Sequence, residues 1–516
     1  MLNTKIFQIK ALRCYVTAVA KTKLSPNNKF GQQLLISCKR PEFNIDRHVD
    51  DSKFGSVPLA SNRWQHRKSK GDFFIINSTQ DEEQRQTEML SLDTFLQDNT
   101  IEFNSELIKN LKTEFDIKQL TYIQSTGIPK IFTGDHTIIA AETGCGKTLT
   151  YLLPVVQKII EHKKSTNMNN RKFNTPLSII LTPGRELATQ IGMVAEKLCK
   201  GTDIKIETIL GGNTKKLMMN PEFKDVDIVI ATFGALSKLV TTGIYRTEEV
   251  QCVVLDEADT LLDDSFSDKL CHFLKKFPFH LQNERSVGTQ MLLASATMPT
   301  NITELLHKVI DVTTIQEVVS PNLHKLQPNV EQRFLRMNKG DRPSNLLNLV
   351  KRELSKNHPL LIFSNKSATS DYISLFLNNS GVNCLNLNGD MLMKIRLGRF
   401  EQFQQGMCDV LSTTDIGSRG LDTQRAQHVI NFDFPLHVSD YIHRCGRIGR
   451  VGNFSKSVVT NFISSGREIG VVQRIEHAAR TGGLLPNVNA NIKGIINKQI
   501  LKDMEQIKAK TTDDFF

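Results

Sequence analysis

The eight residues Ala141-Glu142-Thr143-Gly144-Cys145-Gly146-Lys147-Thr148 restrict the folding of this chain more than any other stretch. An apolar run at 137–140 precedes them and reads as a buried strand, and Leu149-Thr150-Tyr151-Leu152-Leu153 follows and reads as the opening of a helix. A glycine-rich turn between strand and helix aims backbone N–H groups at one point, where the positive end of the helix dipole adds to them. Polyphosphate suits such a cradle. Lys147 would neutralise the β- and γ-phosphates, and the Thr148 hydroxyl would ligate the Mg²⁺ that bridges them. Ala141 stands where a first glycine is usual. The competing reading is a strand-to-helix turn that uses its glycines only to turn tightly, and the rest of the chain has to decide between the two.

Around this loop, short apolar runs alternate with helical patterns, which predicts βα units and a parallel sheet. The candidate strands are 137–140, 177–181, 227–231, 252–255 and 290–294. Ligands on such sheets gather at the carboxyl ends of the strands. The polar, chemically useful residues stand there. After 252–255 comes Asp256-Glu257-Ala258-Asp259, which supplies what phosphate chemistry needs beside a phosphate loop. Asp256 would hold Mg²⁺ through water, and Glu257 would orient and deprotonate the attacking water. A solvated acidic turn entering a helix is the bland alternative, and it leaves the run Cys252-Val253-Val254-Leu255 unexplained.

Together these motifs resemble the DEAD-box ATP-dependent RNA helicases, over residues from about 103 to 485. The resemblance implies an α/β fold of two tandem RecA-like domains, each a mostly parallel sheet flanked by helices, with ATP and one RNA strand across their cleft. It implies that Gln124 reads adenine. Pro183, Arg185 and Glu186 match a first RNA-contacting loop, with Gly184 in place of threonine, and Gly211-Gly212 matches a glycine pair that touches the RNA backbone. Thr232 and Gly234 match a third RNA element, in which Phe233 and Ala235 replace proline and arginine. Ser295 and Thr297, with Asp259, would link nucleotide state to domain closure.

Prolines Pro321 and Pro328 mark a linker, and a second βα series follows with candidate strands 360–363, 382–387, 409–411, 428–432 and 458–462. This half lacks a phosphate loop, so it is expected to close over the nucleotide held by the first half. Arginine is permanently charged and shaped to fork onto phosphate oxygens. The arginine-rich stretch 441–450 suits that task, and the resemblance assigns Arg447 and Arg450 to the γ-phosphate and His443 to coupling. Thr414 would lie by RNA, Gly420 and Asp422 by ATP, with Gly417 replacing alanine. Arg396 matches a further RNA contact, where Met393 replaces glutamine. Departures from the family pattern thus cluster in RNA loops and around adenine, where Leu120 replaces proline, while the phosphate-handling residues are intact.

The net charge of +11 on 516 residues is unevenly spread. Eight of those charges precede Glu42, in a stretch without a single acidic residue. An acid-free, basic start with Ile6, Ile9, Leu12 and Val16 at helical spacing reads as a mitochondrial transit peptide, assigned to 1–41. A basic RNA-binding arm is the alternative. Residues 42–90 read as a polar extension, a solvated linker with Trp64 docked on a surface beside Arg63, His66, Arg67 and Lys68, and stacking on and neutralising RNA is the alternative for that cluster. The first RecA-like domain is assigned to 91–315, the linker to 316–332, the second domain to 333–485 and a polar tail to 486–516. Nine scattered cysteines without a Cys-x-x-Cys pair indicate neither a zinc site nor a disulfide framework. No apolar run is long enough to span a bilayer.

The expected function is RNA-stimulated ATP hydrolysis coupled to local, non-processive unwinding or RNP remodelling, with ATP and Mg²⁺ as cofactors. The chain would act as a monomer in the mitochondrial matrix, with ribosomal RNA and ribosome assembly as the leading pathway. The alternative is an ATP-gated RNA clamp or assembly scaffold with vestigial unwinding activity. A DNA translocase of the same superfamily is disfavoured by the Asp-Glu-Ala-Asp form.

Overall fold

The computed structural model describes residues 34–46, 57–78, 89–98, 101–166, 171–212, 214–262, 267–279, 288–298, 302–418, 423, 425–449, 457–486 and 488. Its amino-terminal part departs from expectation. Strand β1 (Leu34–Cys38) pairs with β2 (Ile45–Asp46) and, antiparallel, with β3 (Phe73–Ile76). A short ribbon of β4 (Leu90–Ser91) and β5 (Gln119–Leu120) then leads into the first lobe.

That lobe is a seven-stranded parallel sheet built from β6 (Thr137–Ala140), β7 (Ser178–Thr182), β8 (Ile206–Ile209), β9 (Ile228–Thr232), β10 (Cys252–Asp256), β11 (Gln290–Ser295) and β12 (Gln316–Val319). The spatial order is β12-β6-β11-β10-β7-β9-β8. Helices cover both faces, so β6, β7, β9, β10 and β11 are buried along their whole length. Alternate residues feed opposite cores: Ile139, Ile180, Val254 and Leu292 enter one, and Ile138, Ile179, Val253 and Leu293 the other. β12 falls in the stretch expected as linker. Only Val318 of its four residues is buried, so this edge strand carries almost no sequence signal.

The second lobe contains β13 (Val330–Arg336), β14 (Leu360–Phe363), β15 (Leu385–Leu387), β16 (Val410–Thr413), β17 (His428–Asn431) and β18 (Ser457–Ile463). Its sheet runs β15-β16-β14-β17-β18-β13 in parallel and continues antiparallel into β3, β1 and β2. The segment ahead of the first lobe therefore completes the sheet of the second. β3 pairs along β13 and sends Phe74 and Ile76 to one face and Phe73 and Ile75 to the other.

Two expectations need correction here. Of the proposed transit peptide, 1–41, residues 1–33 lie outside the described residues, and its end boundary would take β1 with it, although Ile36 is fully buried in the sheet. The solvated-linker reading of 42–90 fails over 57–78, because Trp64 is 1% exposed, with its ring centroid 5.5 Å from that of Phe74; 47–56 and 79–88 lie outside the described residues. The aromatic contacts continue from Phe74 to Phe334 at 4.6 Å and from Phe334 to Tyr441 at 6.1 Å. Polar groups fasten the same segment. The buried Glu476 carboxylate, on the helix Gly466–Thr481, accepts hydrogen bonds from Ala60 N, Ser61 N and Ser61 Oγ and pairs with Arg480 at 2.7 Å. Leaving such a carboxylate buried without partners would cost several kcal/mol, about 3–5 for a broken buried pair.

Candidate nucleotide and RNA site between the lobes

The phosphate loop leaves β6 and enters the helix Lys147–Ser165 through Gly144 and Gly146, whose φ angles of 85° and 92° only glycine adopts without strain. Lys147 Nζ donates to the Ala141 and Glu142 carbonyls at 2.7 and 2.9 Å, so the ammonium group lies across the mouth of its own loop. Thr143 and Cys145 belong to the same turn, with Cys145 buried and its thiol pushed up to about 11 by that burial. Gln124 opens the helix Tyr122–Phe132, where its Oε1 accepts from Thr121 N at 3.0 Å. Its amide nitrogen presses on Gly146, where a Cβ would come within 2.5 Å of it, and Thr121 Oγ1 donates to the Cys145 carbonyl. Gln124, expected to read adenine, and the glycine-rich loop are thus one packed unit.

At the end of β10, Asp256 is buried and accepts from the Tyr151 hydroxyl at 2.8 Å and from Glu257 N at 2.8 Å. Burial pushes its carboxyl up, while the Tyr151 hydroxyl and Lys147 pull it back. Tyr151 also meets the Thr148 hydroxyl, which joins the two groups expected to hold Mg²⁺. A carboxylate and a hydroxyl converging on one buried point form an oxygen donor set that suits a hard divalent cation. Glu257 sits at φ 51°, a left-handed conformation uncommon outside glycine and characteristic of strain held at functional sites. Burial raises its carboxyl above the ordinary value, with His443 acting in the opposite sense.

The second lobe meets this site through the helix Val438–Cys445 and the residues after it. Gly446 lies against Thr143 so closely that a Cβ there would come within 1.4 Å of the threonine hydroxyl. Arg447 is buried, donates to the His443 carbonyl at 3.3 Å, and interacts electrostatically with Glu257 across the cleft. Asp259 accepts from Thr297 Oγ1 at 2.6 Å, and His443 Nε2 lies 3.5 Å from the same carboxylate oxygen. Ser295 Oγ donates to the Thr297 carbonyl, so Ser295, Thr297, Asp259 and His443 form one connected chain from lobe to lobe. Arg450, Gly420 and Asp422 lie outside the described residues.

A second set of expected residues gathers on the other side of the cleft. Arg185 lies over Gly211 and Gly212, and Gly211 N donates to Thr232 Oγ1 at 3.2 Å. Pro183 is half-buried on the turn after β7, and Gly234 is exposed near the start of the helix Phe233–Thr241. Phe233 and Ala235 point into the core, Phe233 edge-on to Phe273 at 5.8 Å, so no arginine could be accommodated at 235 without displacing that core. Arg396 forms a buried 2.9 Å ion pair with Glu186 of the facing lobe. Thr414 is half-exposed after β16. Gly417 has a local cause: an alanine Cβ would lie 2.5 Å from Thr413 Oγ1.

Two residues that the motifs did not single out complete the site. Tyr151 holds Asp256, and its only sequence signal is a hydroxyl on an apolar helix face four residues after Lys147. Arg444 is fully buried and bonds Asp415 at 2.7 Å, Asn365 at 2.7 Å and the Asp433 carbonyl at 2.8 Å, tying together the loops after β16, β14 and β17. Within the arginine-rich stretch nothing in the sequence separates this clamp from the residues expected to face nucleotide.

Residues 121–305 match the DEAD/DEAH box helicase family, and residues 341–452 match the helicase conserved C-terminal domain. A protein of Mus musculus described as probable ATP-dependent RNA helicase DDX28 is 34% identical over 472 residues, spanning 89% of this chain and 86% of that protein. The chain is a DEAD-box ATP-dependent RNA helicase. A Homo sapiens protein of the same description is 33% identical over 474 residues, again covering 89% of this helicase and 86% of the relative. Among solved structures, Mss116p bound to single-stranded RNA and AMP-PNP superposes with a TM-score of 0.64 at 23% identity, over 78% of this chain and 80% of that one. Dbp5 of S. cerevisiae bound to RNA and ADP BeF3 gives 0.61 at 23% identity, over 76% and 94%. These likenesses give the helicase its fold, two RecA-like domains with mostly parallel sheets.

Proposed function

We propose that this helicase binds one ATP in the phosphate loop of its first lobe and hydrolyses it when RNA draws the second lobe closed. The observation that carries the reading is the seating of Gly446 on Thr143, which brings Arg447 beside Glu257. In this reading Glu257 takes the proton of the attacking water, and Lys147 and Arg447 counter the charge gathering on the transferred phosphoryl oxygens. Gln124 holds adenine, and Ala141, Glu142, Thr143, Gly144, Cys145 and Gly146 line the phosphates, with Gly420, Asp422 and Arg450 as further contacts. Asp256 and Thr148 would hold Mg²⁺, which when bound supplies positive charge to the phosphate oxygens. His443, Asp259, Thr297 and Ser295 relay closure between the lobes.

RNA would lie along Pro183, Arg185, Gly211, Gly212, Thr232, Gly234, Arg396 and Thr414. Contacts through backbone amides and phosphates carry no base identity, so sequence preference is expected to be weak. The proposed work is local duplex opening or RNP remodelling by a monomer. The acid-free basic start of the chain supports a mitochondrial matrix location, with ribosomal RNA and ribosome assembly as the pathway. Glu257→Gln is expected to leave ATP binding intact and to lower RNA-stimulated turnover by about 10²–10⁴-fold, the usual contribution of a positioned base. Undiminished turnover would reject the assignment.

A clamp or scaffold that holds RNA without separating strands is the second reading, favoured by the loss of an arginine at 235 to the core. Duplex release measured beside ATP hydrolysis on the same preparation separates the two: hydrolysis without release would identify the clamp.

A further inference from the structure

We infer that the turn at residues 63–70 is a second RNA-phosphate site, one that binds RNA flanking the cleft. Arg63, His66, Arg67, Lys68 and Lys70 are all exposed, and none of their side chains has a hydrogen-bonding or ionic partner among the described residues. The nearest acid in sequence, Asp72, is occupied by Lys39 at 3.2 Å. An uncompensated basic cluster repels itself and attracts polyanions.

The turn is held firmly rather than loosely solvated. Trp64 is sunk into the core of the second lobe, and Ser69 Oγ donates to the Trp64 and His66 carbonyls at 3.0 and 2.7 Å. Arg336 Nε donates to the Trp64 carbonyl at 3.0 Å, and Gly71 N donates to the Arg336 carbonyl at 2.8 Å. Burial of the indole rules it out as a base-stacking platform. Its role is to present four permanent cations on a fixed backbone, which lowers the ordering cost of binding.

Position selects the ligand. Arg336 ends β13, and its guanidinium also donates to the carbonyl of Ile463, the last residue of β18. The basic turn therefore stands at the carboxyl-end rim of the sheet, the rim from which Thr414 follows β16. In the order β16-β14-β17-β18-β13 the two are four strand spacings apart, about 19 Å. Arg467, exposed at the start of the closing helix, adds a further cation near the end of β18. A strand leaving the cleft over Thr414 and following this rim would reach the turn. The enzyme's own substrate is the polyanion at hand.

This inference rests on the cleft being the primary RNA site, and the test separates the two. Arg63→Gln, Arg67→Gln, Lys68→Gln and Lys70→Gln are combined in the full chain, and thermal unfolding checks the fold. Binding is measured in the presence of a non-hydrolysable ATP analogue, with a single strand that fills only the cleft and with one extended beyond it on both sides. For the extended strand the combined variant should bind about five- to tenfold more weakly, and the slope of log affinity against log salt should become shallower by about 2–3, as expected for four lost phosphate contacts. Affinity for the short strand should be unchanged. An equal response of both strands, or no response of either while the wild type binds both, would overturn the basic-turn site and leave an acidic protein surface as its ligand. Failure of the wild type to bind the short strand would instead overturn the cleft reading, and the proposed site with it.

Discussion

At the scale of single residues, the first lobe keeps two carboxylates where the fold would prefer none. Burial raises the Glu257 carboxyl above its ordinary value of 4.5. A carboxyl raised by folding stabilises the protein fully below the unfolded value, and that contribution is lost as pH rises through the folded value. At neutral pH ionised Glu257 therefore costs stability, and Glu257→Gln is expected to raise Tm by a few degrees, at about 2–4 °C per kcal/mol for a domain of this size, while turnover collapses. Differential scanning calorimetry checks the sign. The acid limb of the kcat profile should likewise lie above pH 4.5, because the base must be ionised to act. Tyr151→Phe removes one donor from Asp256. Hydrogen bonds to charged groups contribute about 1.5–3 kcal/mol, so a weaker requirement-matched site should appear as a higher Mg²⁺ concentration for half-maximal ATPase. An unchanged Mg²⁺ titration would show that the hydroxyl only fills space.

At the scale of elements, the notable unit is the segment carrying β1, β2, Trp64 and β3. It belongs to the second lobe, and its aromatic contacts run from Trp64 through Phe74 and Phe334 to Tyr441, on the helix that carries His443 and leads to Arg447. Trp64→Ala should cost about 3–5 kcal/mol and lower ATPase as well, by loosening that helix. Trp64 is the sole tryptophan, so its fluorescence reports on this lobe alone, and the red shift on urea unfolding should occur at a lower midpoint in Phe74→Ala. Truncation before Leu34 should be tolerated, whereas removal through Ile76 exposes the edge of β13 and should cause aggregation, as light scattering would show. The strand, loop and helix around Gly144-Cys145-Gly146-Lys147 were legible in the sequence because the phosphate chemistry expected there demands particular residue types at fixed spacing after a buried strand. β1, β3 and Trp64 were not. β3 and Trp64 meet β13 and Arg336 more than two hundred and fifty residues away, β1 joins that sheet only through β3, and a lone tryptophan among arginines and lysines carries no local sign that it is buried. β12 was missed for a different reason, having a single buried side chain.

At the scale of the whole molecule, the lobes meet through contacts that pair a residue of one with a residue of the other: Glu186 with Arg396, Asp259 with His443, Thr143 with Gly446, and Glu257 with Arg447. The first of these joins two residues expected at RNA, so the ion pair and the RNA draw on the same closed arrangement. Arg396→Glu should lower the closed fraction seen by fluorescence transfer between labels on the two lobes, and adding Glu186→Arg should restore closure without restoring RNA affinity. The account as a whole depends on the second lobe supplying charge to a nucleotide gripped by the first. The most direct test is Arg447→Ala, assayed for binding of a fluorescent ATP analogue and for single-turnover hydrolysis at saturating RNA. Binding should stay within severalfold of wild type while hydrolysis falls by about 10³–10⁵-fold, the range for an arginine at a phosphoryl-transfer transition state. Hydrolysis at the wild-type rate would contradict the claim that the two lobes build one active site.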